Sequence, residues 1–344
     1  MSPLRRFAPG LFLLAVLIPF NAGAWNRTPA TVFATLPPGM ANPEGITADR
    51  HGRIYVADFA VGGTSSGVGQ IAVFHRSGRL ARVLDVVDSS TLLLGLAFHP
   101  TTHELLVIDF GKQTVLSVDP FTGASSPFAV IPGGAAAGPN ALTFDDAGNV
   151  YVSDSFQGVI WTIPANGGAP SAWASGPLLV TGGVPPFGAN GIAFNRDRSA
   201  MFVANTGNDT IVKIPVASNG TAGAPEVFVN SINGADGLIM DDDDNIWVAA
   251  NQADEIVVVD PTGRVIAKLG DFDGIDRHGA PRGLLFPASL VRSGAFIYIT
   301  NLALDLRLFG LPQAVDSQWA ADVTTHTITR IPAELPPVKR HSRH

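Results

Sequence analysis

The sequence predicts an all-β fold, a six-bladed β-propeller with four antiparallel strands per blade. Three observations carry this. A short phrase recurs six times, at Glu44-Gly45-Ile46, Leu94-Gly95-Leu96, Asn140-Ala141-Leu142, Asn190-Gly191-Ile192, Asp236-Gly237-Leu238 and Arg282-Gly283-Leu284. The lead residues are 50, 46, 50, 46 and 46 residues apart, a period that matches one propeller blade. Each copy is followed by alternating apolar strands separated by Asp/Asn/Gly turns, the usual chemistry of hairpins.

The strands can be placed in order. In the first copy, residues 45–49 (GITAD) form an inner strand and residues 53–57 (RIYVA) a second, ending at Asp58. Third strands follow at 70–74 (QIAVF), 114–118 (TVLSV), 159–163 (VIWTI), 210–214 (TIVKI) and 255–259 (EIVVV). Fourth, outer strands are more polar, as in 79–84 (RLARVL) and 264–269 (RVIAKL). The last copy has an inner strand at 283–286 (GLLF), a second at 296–300 and a late third at 325–331, but no fourth. Residues 31–36 (TVFATL), ahead of the first copy, supply it. The N-terminal strand thereby closes the ring and removes its open edge.

The domain reading is a secretory signal at residues 1–24, a propeller over 25–335 and a basic, frayed tail at 336–344. Arg5-Arg6 precedes the apolar run 11–18 and the small-residue site Ala22-Gly23-Ala24, with cleavage after Ala24. The run is too short for a comfortable membrane span, so no membrane contact is expected after cleavage. There are no cysteines, which excludes disulfides and thiolate chemistry and suits a bacterial periplasm. A net charge of −7 argues against a nucleic-acid surface. Nothing in the chain speaks to its oligomeric state.

Equivalent positions in a propeller ring one axis. Four of the six leads carry side-chain oxygens: Glu44, Asn140, Asn190 and Asp236. Two carboxylates and two amides converging there have the charge to balance one divalent cation. Oxygen donors favour hard cations, with Ca²⁺ first and Mg²⁺ or Mn²⁺ next, over a structural Zn²⁺. The second-strand ends Asp58, Asp109, Asp154, Asn205, Asn251 and Asn301 share the face, and read as turn caps. The acidic run 241–244 falls in an opposite-face turn and reads as solvated. His278, in the loop before the last inner strand, is a candidate substrate contact or a surface histidine. No Gly-x-Ser-x-Gly elbow is present. The apolar insertion at 302–323 reads as a lid or a plug over the channel mouth.

The phrases Pro43-Glu44-Gly45-Ile46, Pro139-Asn140-Ala141-Leu142, Ala189-Asn190-Gly191-Ile192 and Ala235-Asp236-Gly237-Leu238 resemble the senescence-marker-protein/gluconolactonase family of six-bladed propellers, across nearly the whole mature chain. The resemblance implies one divalent cation on Glu44, Asn190 and Asp236, with Zn²⁺ also possible. It implies that Asn140 contacts substrate or metal-bound water, and that Asp236 is the general base in hydrolysis of a lactone or ester. Relatives that act on aldonolactones carry an Arg where this chain has Gly138, within the run 133–138. That departure, with the apolar loop 180–187, points to a less polar small-molecule substrate. The competing readings are a non-catalytic NHL-type binding propeller with a structural metal, and a lyase, for which only His278 is available.

Overall fold

A computed structural model describes residues 27–61, 67–311 and 316–336. The expected signal segment at 1–24 lies outside the described residues, as does the basic tail from 337 onward. Six four-stranded antiparallel sheets are arranged as blades. The first four have inner strands Pro43–Ala48, Leu93–Phe98, Pro139–Phe144 and Ala189–Phe194, and the fifth has Ala235–Met240. Six apolar clusters lie between neighbouring blades, one per interface. The β-branched and aromatic residues of the middle strands fill them. Tyr55 and Leu105 belong to the cluster between blades one and two, and Phe202 and Ile246 to that between blades four and five.

The last blade differs from its sequence reading. Its inner strand is Pro287–Ser293, not residues 283–286. Arg282-Gly283 belongs to a small extra hairpin in which Phe272–Ile275 pairs with Pro281–Gly283. Pro287 pairs with Asn301 as Pro43 pairs with Asp58, so the true sixth lead is Ala288, six residues after Arg282. The hairpin inserts those residues, and its Gly283, at φ 82°, imitates the phrase.

Every inner strand is irregular at its lead. Pairing steps from Pro43↔Asp58 to Ile46↔Val56, and the same break recurs in all six blades. An extra residue re-aims the local side chain, here that of the lead residue, at the mouth of the channel. The small residue that follows has a separate cause. A Cβ at Gly95 would lie 2.7 Å from the Asn140 carbonyl oxygen, and one at Gly191 2.5 Å from that of Asp236. Inner strands meet backbone to backbone here, and a side chain would separate them.

The ring closes as expected. Thr31–Thr35 pairs with Thr327–Pro332 as the outer strand of blade six. Phe33 packs edge-on against Tyr298 at 4.7 Å and Phe74 at 6.3 Å, joining blade six to blade one. Upstream, Arg27 pairs with the buried Glu255 of blade five at 2.9 Å. Phe33→Ala is expected to cost about 3 kcal/mol in urea unfolding, the low end for a buried Phe. Deleting residues 25–37 should lower the melting temperature by far more. An unchanged melting temperature in the deletion variant would contradict the closure.

Candidate active site

The six leads place Glu44, Leu94, Asn140, Asn190, Asp236 and Ala288 round one channel mouth. Glu44, Leu94, Asn140, Asn190 and Asp236 line a single cavity of about 40 Å³. That is room for an ion and a water or two, but not for a whole substrate. The other walls are apolar and include Phe59, Phe187, Phe286, Leu304 and Leu306. Polar leads therefore sit mainly on blades three to five, with Glu44 alone facing them from blade one.

A second ring was not legible as such. The residue after each inner-strand partner is Phe59, Phe110, Ser155, Thr206, Asn251 or Leu302. Of these, Phe59, Thr206, Asn251 and Leu302 line the cavity. Thr206 Oγ1 accepts from Asn190 Nδ2 at 3.0 Å, and Asn251 Nδ2 donates to Asp236 Oδ2 at 2.9 Å. Asn251 reads in the sequence as a strand end like Asp58. In the fold Ala235 pairs with Ala250, so Asn251 lies one residue further along. A one-residue offset turns a strand side chain to the opposite face, and Asn251 points at Asp236 instead of capping a turn.

The other strand ends do cap. Asp154 Oδ1 accepts from the backbone N–H groups of Gly138, Phe156 and Gln157. Asp109 accepts from the N–H groups of Ser90 and Lys112 and from the Ser90 hydroxyl. Asn205 donates to the carbonyls of Leu178 and Val180, and Asn301 to that of Gly283. Asp58 accepts from Gln70 N–H at 2.9 Å. Asp241 likewise accepts from the N–H groups of Asp243 and Asn245 in its opposite-face turn. His278 is not brought to the cavity. It is exposed on the extra hairpin, where its N–H donates to Asp276 Oδ1 at 2.7 Å. The hairpin forms a sheet of its own, which carries its turn to the surface.

The electrostatics of the mouth are unbalanced. Glu44 and Asp236 are 5% and 4% exposed. Burial pushes the Asp236 carboxyl up to about 7, against hydrogen bonds from Asn251 and Asn190. Burial, then the charge of Asp236, holds the Glu44 carboxyl well above its usual range. Glu44 Oε2, Asp236 Oδ1 and Asn251 Oδ1 are buried with no hydrogen-bond partner. An unsatisfied buried acceptor costs about 1–3 kcal/mol, and a charged one more. Three such oxygens round one cavity are the donor set a hard cation would satisfy. No three His, Cys, Asp or Glu side chains cluster among the described residues, so any further donors are amides.

Backbone contacts hold this arrangement. Thr300 Oγ1 donates to the Glu44 carbonyl at 2.7 Å across the closing seam. Asp254 Oδ1 accepts from Phe286 N–H at 2.7 Å, fixing one apolar wall. Asn42 Nδ2 donates to the Leu302 and Ala303 carbonyls, anchoring the start of the 302–323 insertion. That insertion folds into short helical turns, Leu306–Phe309 and Ser317–Ala320, and covers the mouth with Leu302, Leu304 and Leu306.

Comparison with known proteins bears on the fold. Residues 187–270 match the model of the SMP-30/Gluconolactonase/LRE-like region. No curated protein matches the chain. A gluconolactonase from Xanthomonas campestris superposes with a TM-score of 0.60 at 13% identity, over 86% of this chain and 87% of its own. A calcium-binding protein, regucalcin, from Agrobacterium tumefaciens does so at 0.58 and 17%, over 90% and 99%. Virginiamycin B lyase from Staphylococcus aureus reaches 0.53 at 14%, over 78% and 80%. These likenesses establish the six-bladed fold. The matched stretch covers blades four and five, which supply Asn190, Thr206, Asp236 and Asn251.

Proposed function

We propose that this protein is a metal-dependent hydrolase of a lactone or ester less polar than an aldonolactone. The observation that carries the reading is the pair of buried, unpartnered oxygens, Glu44 Oε2 and Asp236 Oδ1, on a cavity with apolar walls. Glu44, Asn190 and Asp236 would hold the cation, with the Asn251 amide oxygen positioned to join them. Ca²⁺ is the first candidate, since the donors are all oxygen and the Agrobacterium relative is described as calcium-binding. Such a cation supplies a Lewis acid that polarises the substrate carbonyl.

The protein's own groups do the rest. Asn251, bonded to Asp236 Oδ2, leaves Oδ1 directed at the cavity. Asp236 takes a proton from water as its oxygen adds to the carbonyl carbon, then returns it to the leaving alkoxide as the acyl C–O bond breaks. Asn140, buried on the same wall, orients the substrate. Gly138 supports the apolar preference, because a Cβ there would lie 2.7 Å from the Phe156 ring. Phe156 occupies the space a sugar-gripping side chain would need. A substrate of ordinary size requires Leu304 and Leu306 to move aside.

That same plug favours a second reading, a non-catalytic binding propeller with a structural metal. Turnover decides between them. Metal-loaded protein should hydrolyse members of a lactone and ester panel, chelator should stop it, and Asp236→Asn, which removes both a cation ligand and the base, should abolish it with the fold retained. Absence of turnover above buffer across the panel, with metal bound, would select the binding reading.

Cation binding to the native state alone should raise stability by about 2.7 kcal/mol at a hundred times Kd. Calorimetric titration with Ca²⁺, Mg²⁺, Mn²⁺ and Zn²⁺ measures this, and Glu44→Gln or Asp236→Asn should abolish the gain. The pH dependence follows from the raised carboxyl. Protonated Asp236 suits the metal-free fold, so its contribution to stability is intact below about 4 and lost as pH rises to about 7. In chelator, Asp236→Asn should therefore gain stability relative to wild type across that window. Protons compete with the cation, so metal affinity should climb over the same range. A pH-independent difference between the two proteins would refute the assignment.

We also propose export to a bacterial periplasm with cleavage after Ala24. The mass of the protein recovered from the periplasm should correspond to an N-terminus at Trp25, and retention of residues 1–24 would refute it.

A further inference from the structure

Four phenylalanines form a continuous ladder from the cavity to the surface. Phe59 and Phe187 line the cavity. Phe59 meets Phe110 edge-on at 5.8 Å, and Phe110 meets Phe156 edge-on at 5.7 Å. Phe187 lies 5.5 Å from Phe156 at a 32° tilt and 6.5 Å from Phe110. Exposure rises from 4% at Phe59 to 44% at Phe156. The residues come from four different connections on the mouth face, so no single strand's alternation explains their meeting.

Polar side chains beside the ladder are tied to the backbone, as Gln252 Nε2 is to the Val184 carbonyl at 2.8 Å. The Gln157 side chain, next to Phe156, is bonded to the Pro132 carbonyl and Asp154 Oδ2. Gly138 lies against the Phe156 ring with no room for a side chain. Val180 and Val184, 37% and 45% exposed, extend the apolar rim on the 180–187 loop.

We infer that Phe110, Phe156 and Phe187 form a subsite for an aromatic ring on the ligand, which makes the substrate an aryl ester or an aryl-bearing lactone. The identity of the ester end rests on the hydrolase reading above; the arene subsite does not. Aromatic pairs favour edge-on or offset contacts at about 4.5–7 Å and gain about 0.5–1.5 kcal/mol beyond area burial. A ligand ring laid against Phe156 and Phe187 continues the ladder in that geometry. An alkyl chain would gain area alone.

The test uses a probe with no hydrolysable bond. Neutral 2-acetonaphthone, an arene with one carbonyl, is titrated into the full mature protein in chelator, with Kd read by calorimetry and contacts by saturation-transfer NMR. Phe156→Ala should weaken binding about five-fold, Phe156→Leu by an intermediate factor, and Phe121→Ala, at an exposed site off the ladder, not at all. Melting temperatures check that each variant is folded. No binding by wild type, equal binding by Phe156→Ala, a Phe156→Leu variant as tight as wild type, or equal loss in Phe121→Ala would each overturn the proposal. Because the probe is inert, a failed lactone screen leaves this result standing, and a failed titration leaves the hydrolase reading standing.

Discussion

The close approach of six inner strands round one axis is the constraint on which the structure depends. Gly45, Gly95, Gly191 and Gly237 each abut the carbonyl of the next blade's lead residue, and Ala141 and Ser289 hold the other two places. Only small residues permit this contact. The irregular pairing just before each of them turns the lead side chain inward. Packing thus demands the small residue, and the irregularity leaves its neighbour free to carry chemistry. The blades use that freedom unequally. Leu94 and Ala288 extend the core toward the mouth, while Glu44, Asn140, Asn190 and Asp236 bring oxygens to it.

The mouth concentrates opposing demands. Its carboxylates are buried beside one another and beside Phe286, Leu302 and Leu304 in one apolar cluster. Low polarity there magnifies the cost of an uncompensated charge and the attraction for a compensating one. The neighbours act by orientation: Thr206 on Asn190, Asn251 on Asp236, and Thr300 on the backbone of Glu44. A site so arranged is poorly solvated and strongly directed.

Much of this was legible because local sequence is repeated. Four acidic or amide leads could be aligned by spacing, and the orphan strand 31–36 followed from a missing partner in the last blade. What failed were inferences needing register. Arg282-Gly283-Leu284 has the right spelling and the expected spacing, yet pairing with Phe272 removes it from the ring. Asn251 has the spelling of a turn cap, but its one-residue offset depends on how Ala235 pairs with Ala250. His278 lies in the segment leading to the last inner strand, yet the extra hairpin of Phe272–Ile275 and Pro281–Gly283 keeps it out of the cavity. The ladder of phenylalanines spans four connections whose juxtaposition no local pattern encodes. The rule that could have found Thr206 and Asn251 is the residue following each inner-strand partner, and it requires the pairing first.

The seam between Thr31 and Arg330 joins residues 299 positions apart in the chain. Among the described strands of the propeller, the outer strand of blade six is made first and its partner at 327–332 last. Until then Thr31–Thr35 and Phe296–Asn301 both have an unpaired edge, and Phe33 lacks Arg330, whose guanidinium lies 5.9 Å from its ring. Closure is a late, long-range event of the kind that slows folding. The same geometry brings the two ends of the propeller together at one blade, so a circular permutant that joins them and opens a loop elsewhere would turn this distant pairing into a local hairpin.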